Sequence, residues 1–199
     1  IAVPAGVTLT LKPGTVLKFK DGTGISIAQG SHFIAQGTPD SMIVFTKANN
    51  DIGNMAGFMF YSSDTLRYCM FKDFYKTYAP SYITGSLIEI RTKIFKLEHC
   101  IFTKNYIKEN EELILLNPSY SPLPMNMTSC HVHDNLLGCF FSYLDTRYSY
   151  QQQPIMSLCN LCDNERINQS LQADDGGLSL RLVALKASQN NVVGNRNIE

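Results

Sequence analysis

Tyr68-Cys69-Met70-Phe71-Lys72-Asp73-Phe74 opens a pattern that returns three times. The later copies are His99-Cys100-Ile101-Phe102-Thr103-Lys104-Asn105, Ser129-Cys130-His131-Val132-His133-Asp134-Asn135 and Leu158-Cys159-Asn160-Leu161-Cys162-Asp163-Asn164. Their cysteines lie 31, 30 and 29 residues apart. Two residues after each cysteine stands an apolar side chain (Phe71, Phe102, Val132, Leu161), and three before it another (Leu66, Leu97, Met127, Met156). Two inward residues at period two make one strand, and the odd spacing to the preceding apolar residue predicts a bend between strands. Five residues after the cysteine stands Asn105, Asn135 or Asn164, with Phe74 in that place in the first copy. A weaker copy runs through Leu182, Leu185, Ala187 and Asn190. Asn tolerates the left-handed backbone region and hydrogen-bonds its own turn; stacked coil on coil, its amides can also pair along the axis. A period of about thirty residues marks a stacked solenoid, in which every coil returns to the same corner. A two-sheet sandwich gives no reason for Cys, Phe and Asn to recur together.

Upstream, residues 1–46 alternate in the strand manner: Val7, Leu9 and Leu11 point one way, Thr8 and Thr10 the other. Leu17 and Phe19, Ile25 and Ile27, then Ile43 and Phe45 repeat this, giving five expected strands in under fifty residues. Lys12-Pro13-Gly14 and Lys20-Asp21-Gly22 are turns between them, since Pro presets φ and Gly accepts a positive φ. Nothing in this stretch has helical period.

The chain has 199 residues, enough for one domain or for one piece of a longer array, and 44% of them are apolar. Its 17 basic and 17 acidic side chains cancel, so no basic footprint for nucleic acid or an anionic membrane is present. No apolar run reaches the length of a membrane span, and no signal-peptide pattern opens the chain. It begins inside what reads as a repeat, as a processed form or a part of a longer protein does. Six cysteines (69, 100, 130, 139, 159 and 162) would suit a disulfide framework, but the periodic placement of four predicts a reduced, inward stack. Cys159 and Cys162 form a lone CxxC, without the second pair of a zinc site or the helix of a redox motif. The states of Cys139 and Cys162 stay open at this point.

The opening coils carry a resemblance. VPAGVTLTLKPGTVLKF (residues 3–19) and AQGTPDSMIVFT (residues 35–46) resemble the entry coils of right-handed parallel β-helix proteins of the pectate-lyase-like superfamily, especially bacterial secreted and surface members. Residues 53–60 followed by Leu66-Arg67-Tyr68-Cys69 are similar to the next coil, with Met55-Ala56-Gly57 where the family commonly has Trp-Gly-Gly. The likeness covers residues 1–75 by motif and 86–195 by repeat pattern. It implies an all-β, right-handed parallel β-helix of about six coils. Residues 1–199 would form a single domain of a longer extracytoplasmic protein, secreted or on the cell surface. Because one such fold hosts lyases, hydrolases, adhesins and inert scaffolds, it implies no particular activity.

The expected function is therefore a non-catalytic scaffold or recognition module that binds a glycan or another surface protein. The alternatives are part of a polysaccharide lyase or glycoside hydrolase, and a structural subunit of a surface assembly. Loop lengths vary most at 75–85, 117–124, 145–154 and 165–177, and in repeat proteins such insertions gather on one binding face. These loops hold Tyr75, Tyr78, Tyr82, Tyr120, Tyr148 and Tyr150, and the expected contact residues are Tyr75, Tyr106, Tyr120, Tyr148 and Tyr150. Tyr75 and Tyr106 each lie six residues past a repeat cysteine and should stack in adjacent coils; Tyr120 and Tyr150, twenty past theirs, suggest a second pair. Rigid amphipathic rings suit sugar faces and protein partners alike.

A lyase needs acidic calcium ligands and a base, and a glycosidase needs clustered carboxylates. Asp174-Asp175, before Gly176-Gly177, is the only Asp pair and has the composition of an exposed turn. Arg91 and Lys93 flank Thr92 without an acidic ladder, so no catalytic residue is assigned. His131 and His133 share the outward face, with Cys162 beside His133, a conceivable surface zinc site but more simply solvated side chains. Glu109, Glu111 and Glu112 read as a solvated turn, and Asn126 and Asn168 head N-glycosylation sequons. Neither a metal nor a cofactor is expected.

Overall fold

The computed structural model describes residues 1–49, 51–52, 54–76, 86–92, 94–117, 125–143, 155–167, 180–181 and 186–198. Every element among them is a strand. The first coil is β1 (Ala2–Val3), β2 (Thr8–Leu11) and β3 (Val16–Phe19); the second is β4 (Gly24–Ile27), β5 (His32–Gln36) and β6 (Ile43–Lys47). The third runs β7 (Gly57–Phe60), β8 (Thr65–Arg67) and β9 (Cys69–Lys72). In the fourth, β10 (Tyr75–Lys76) and β11 (Ile88–Ile90) share one side, followed by β12 (Phe95–Glu98) and β13 (Ile101–Thr103). The fifth holds β14 (Tyr106–Leu116), β15 (Met125–Thr128) and β16 (His131–His133), and the sixth β17 (Leu136–Tyr143), β18 (Ile155–Ser157) and β19 (Asn160–Cys162). The seventh has β20 (Glu165–Ile167) with β21 (Leu180–Arg181), then β22 (Lys186–Ser188) and β23 (Asn191–Val193), before β24 (Arg196–Ile198).

Strands at the same place in successive coils pair in parallel, giving a ten-stranded sheet A and seven-stranded sheets B and C. The chain is thus a parallel β-solenoid. Seven coils replace the expected six because the opening stretch turns faster than the later period: Ala2 pairs with Ser26, whereas Phe71 pairs with Phe102. Residues 1–46 accordingly supply six strands rather than five. Val7 is not among their inward residues; it precedes β2 and is 44% exposed.

Register carries the core. On sheet C, Leu17, Phe45, Phe71, Phe102, Val132 and Leu161 stand in one inward column. Its phenylalanines stack face to face, Phe45 on Phe71 at 4.8 Å and Phe71 on Phe102 at 5.0 Å between centroids. Sheet B supplies Ala35, Leu66, Leu97, Met127 and Met156 in the same manner. Full burial of such side chains contributes roughly 1.5–3 kcal/mol each.

Two corners of the later coils are single residues at positive φ. One is Tyr68, His99, Ser129, Leu158 and Gln189, the other Asp73, Lys104, Asp134 and Asp163, with φ between 47° and 62°. The left-handed residue thus precedes the cysteine or the asparagine, which corrects the expectation that Asn itself would adopt that backbone. The asparagines serve the next coil instead. Asn105 Nδ2 donates to Asn135 Oδ1 at 2.9 Å, Asn135 Nδ2 to Asn164 Oδ1 at 2.8 Å, and Asn164 Nδ2 to Asn195 Oδ1 at 2.9 Å. Each acceptor oxygen also takes the backbone N–H of the Asn below it. A buried turn donor left unpaired would cost about 1–3 kcal/mol, and the ladder meets that demand coil by coil.

The cysteines at the other corner are buried and free. Cys69, Cys100, Cys130 and Cys159 donate Sγ–H to Ala35, Leu66, Leu97 and Met127 carbonyls at 3.4–3.6 Å. Burial pushes the thiols of Cys100 and Cys130 well up, and for Cys159 the contact with Cys130 leads, with burial second. Asn190 takes the next place in this column, accepting the Cys159 N–H at 3.0 Å.

Candidate functional site

Tyr75 opens β10 and Tyr106 opens β14, and the parallel register sets them opposite one another. Their rings stack at 4.4 Å with planes 21° apart, as the equal offset from the repeat cysteines predicts. Tyr75 is 37% exposed. Because the rings lie face to face, the shared faces are closed to a ligand; ring edges remain for contact. Leu136 continues the column in the next coil. Tyr68 and His99 make a second stack at the left-handed corner, 4.6 Å between centroids. Tyr120, Tyr148 and Tyr150, with Tyr78 and Tyr82, lie outside the described residues.

One residue beyond Tyr75 the strand turns inward, and there stands Lys76, fully buried in the column that Ile107 and Leu137 continue. Its ammonium donates to the carbonyls of Met55 at 3.1 Å and Ala56 at 2.9 Å, fastening the chain ahead of β7. Burial lowers its pKa to about 8, against the pull of the Glu111 carboxylate. Burial likewise raises the Glu111 carboxyl, with Lys76 and Lys108 opposing. The expectation of a solvated Glu turn is corrected here: Glu109, Glu111 and Glu112 lie within β14, and Glu112 is 8% exposed. Sequence reasoning passed over Lys76, although it stands seven residues after Cys69 just as Ile107 follows Cys100 and Leu137 follows Cys130. Gly57 answers to the next coil rather than to Lys76: at φ 109° a Cβ would lie 2.9 Å from the Ser86 carbonyl, but 3.8 Å from Lys76 Nζ.

At the opposite end of sheet A, where the chain turns into sheet B, Gln29, Ser31, His32, Tyr61, Ser63, Arg91 and Thr92 line a groove of about 460 Å³. Arg91 lies across the Tyr61 ring, 5.2 Å from its centroid, and its Nη1 donates to the Tyr61 hydroxyl at 2.8 Å. Behind it, Glu89 is fully buried: Oε1 accepts from Arg91 Nε and from Asn117 Nδ2 at 2.9 Å, and Oε2 has no hydrogen-bond partner among the described residues. Arg91 therefore does have an acidic partner, two residues earlier on β11, hidden from a pattern search because Glu89 is buried on the outward side of its strand. Lys93 lies outside the described residues, as do Asp174 and Asp175.

On sheet C, His131 and His133 face outward, and His133 pairs in register with Cys162. His133 Nδ1 lies 2.8 Å from Asp134 Oδ2, and His131 Nδ1 3.3 Å from Asn160 Nδ2. Burial raises the Cys162 thiol, with Asp163 and Asp134 adding to it. Cys162 is free, and the side chain of Cys139 lies outside the description. Among the described residues no three His, Cys, Asp or Glu side chains converge as metal ligands would. No family model, no curated protein and no solved structure matches this chain.

Proposed function

We propose that this chain is a non-catalytic recognition module of a secreted or surface protein, in which a rigid solenoid holds out side chains that bind a glycan or a surface-protein partner. The observation that carries this reading is the Tyr75–Tyr106 stack: two aromatic rings held at coil spacing on an outer face, with Tyr75 over one-third exposed. Amphipathic rings held without rotamer freedom suit an interface, because little entropy is lost on binding. The resemblance of the opening coils to bacterial secreted β-helix proteins supports the location. In a glycan array and a native pull-down, the wild-type chain should retain a ligand that the Tyr75→Ala, Tyr106→Ala double variant loses at unchanged unfolding midpoint. A ligand indifferent to both substitutions, or none in either assay, overturns the tyrosine face.

A second reading has one observation in its favour, the buried Glu89 carboxylate behind the Arg91 groove, with one oxygen unpartnered among the described residues. A glycosidase of the usual kind needs two carboxyl groups flanking the bond. Turnover of any polysaccharide, abolished by Glu89→Gln, would install the enzyme reading instead.

A further inference from the structure

The outer face of sheet C changes character along the solenoid. In its first three coils the register stacks Val16, Val44 and Met70 in one outward column and Lys18, Thr46 and Lys72 in the column beside it. With Lys47, Asn49 and Asp73 these enclose a groove of about 500 Å³, within the range of small-ligand and peptide sites. Its floor is aliphatic and soft, and Val16 is 53% exposed. Its rim holds three lysines against one aspartate, in a chain whose overall charge is zero. Lys18 Nζ is steadied by Asn49 Oδ1 at 2.9 Å. Asp73 holds Lys72 only loosely, at 3.7 Å, while it also accepts from Thr46 Oγ1 at 3.3 Å.

We propose that this groove binds an extended acidic peptide segment, its carboxylates on Lys18 and Lys72 and an aliphatic side chain on Val44 and Met70. Among the described residues the lining contains no aromatic ring, so a sugar face has nothing to stack on and single-stranded nucleic acid lacks its base platform. Three lysines also fall short of the cluster of 4–8 that holds an anionic membrane. Exposed Val and Met, by contrast, accept apolar side chains of varied shape. The inference rests on the recognition-module reading for its purpose but uses none of the tyrosine face, so the two fail separately.

Fluorescence anisotropy on the whole chain tests it with an eight-residue peptide of alternating Glu and Leu, beside the same peptide with Gln for Glu. The Glu peptide should bind at least about tenfold more tightly, and more weakly as salt rises. Lys18→Gln with Lys72→Gln should remove that preference, and Val44→Asp should weaken binding of both peptides, each at unchanged unfolding midpoint. Equal affinity for the Gln peptide, preference retained in the double lysine variant, or no binding at millimolar peptide would overturn the proposal. So would lysine-dependent binding of sulfated dextran or phosphatidylserine vesicles with the peptide left unbound. Tyr75→Ala should change none of these readouts.

Discussion

The first two coils and the later five solve one problem by different means. A solenoid must reverse direction several times per coil and satisfy the backbone groups at each bend. Early on, glycine does it: Gly6, Gly14, Gly22 and Gly30 sit at φ 73–79°, and no atom lies within 4 Å of the Cβ that Gly6, Gly22 or Gly30 lacks. Side chains close these turns on themselves, as when the Thr15 hydroxyl donates to the Lys12 carbonyl at 2.6 Å, while backbone alone ties them to the next coil: the N–H groups of Gly6, Gly14 and Gly22 donate to the Gly30, Ser41 and Asn54 carbonyls at 2.8–3.1 Å. From Tyr68 onward the bend is one residue in the left-handed region, non-glycine everywhere but at Gly194, and the next residue, Cys or Asn except at Phe74, ties it to the neighbouring coil. The local strain of a left-handed L-residue, about 1–2 kcal/mol, is offset by contacts that exist only when coils stack. Early corners are joined across coils by backbone; later ones by stacked side chains as well.

Breaking the ladder should give the largest effect. Asn135 donates to the Phe102 carbonyl at 2.9 Å and to Asn164, and accepts from Asn105. Asn135→Leu leaves several buried groups unpaired and should cost roughly 3 kcal/mol or more, at about 1–3 per group. An unchanged urea midpoint would mean that the side-chain ladder adds nothing to the backbone bonds between coils.

Lys76 gives an intermediate effect, and it lies between the two regions because its ammonium holds the residues that lead into the third coil. Its pKa falls from 10.5 to about 8 on folding. The unfolded chain therefore binds the proton more tightly, so stability from this group rises as pH climbs from about 8 toward 10.5 and is lowest below 8, where the charge is buried. The gain should be on the order of 2–3 kcal/mol at most. Denaturant midpoints at pH 7 and pH 10, wild type against Lys76→Met, isolate it from the titrating tyrosines. A pH response identical in the two proteins would place the amine in water.

The smallest effects sharpen the contrast most. Gly22→Ala, at φ 73° in open space, meets no atom and should cost only its strain, roughly 1 kcal/mol. Lys104→Gly relieves strain at φ 54° but loosens the unfolded chain, so it should change stability by less than about 1 kcal/mol. Paired thermal melts decide this: a large loss at Gly22 would show that a side chain there breaks its backbone bond to the Asn54 carbonyl of the next coil.

The sequence made the solenoid legible because its repeated residues are the ones that face one another. Cys69 to Cys159, Phe71 to Leu161 and Asn105 to Asn164 are in-register columns, and the Tyr75–Tyr106 contact followed from the same offset. The left-handed position escaped notice because Tyr68, His99, Ser129, Leu158 and Gln189 share a backbone angle but no chemistry. Lys76 and Glu89 were hidden by the rule that charged residues lie outside. The lysine groove was equally invisible, since Lys18, Lys47 and Lys72 converge only through the shorter steps of the opening coils.

The column of free cysteines gives the molecule an internal clock. Each of Cys69, Cys100, Cys130 and Cys159 belongs to a different coil, and each is sealed from solvent while its coil stays closed. A one-dimensional array opens in segments rather than everywhere at once. The order in which the four thiols meet an alkylating reagent therefore records the order in which the coils come apart. In an oxidising compartment the same exposure carries a penalty: a coil that opens early presents a thiol to its neighbours, so faithful stacking is also what keeps these four thiols from cross-linking.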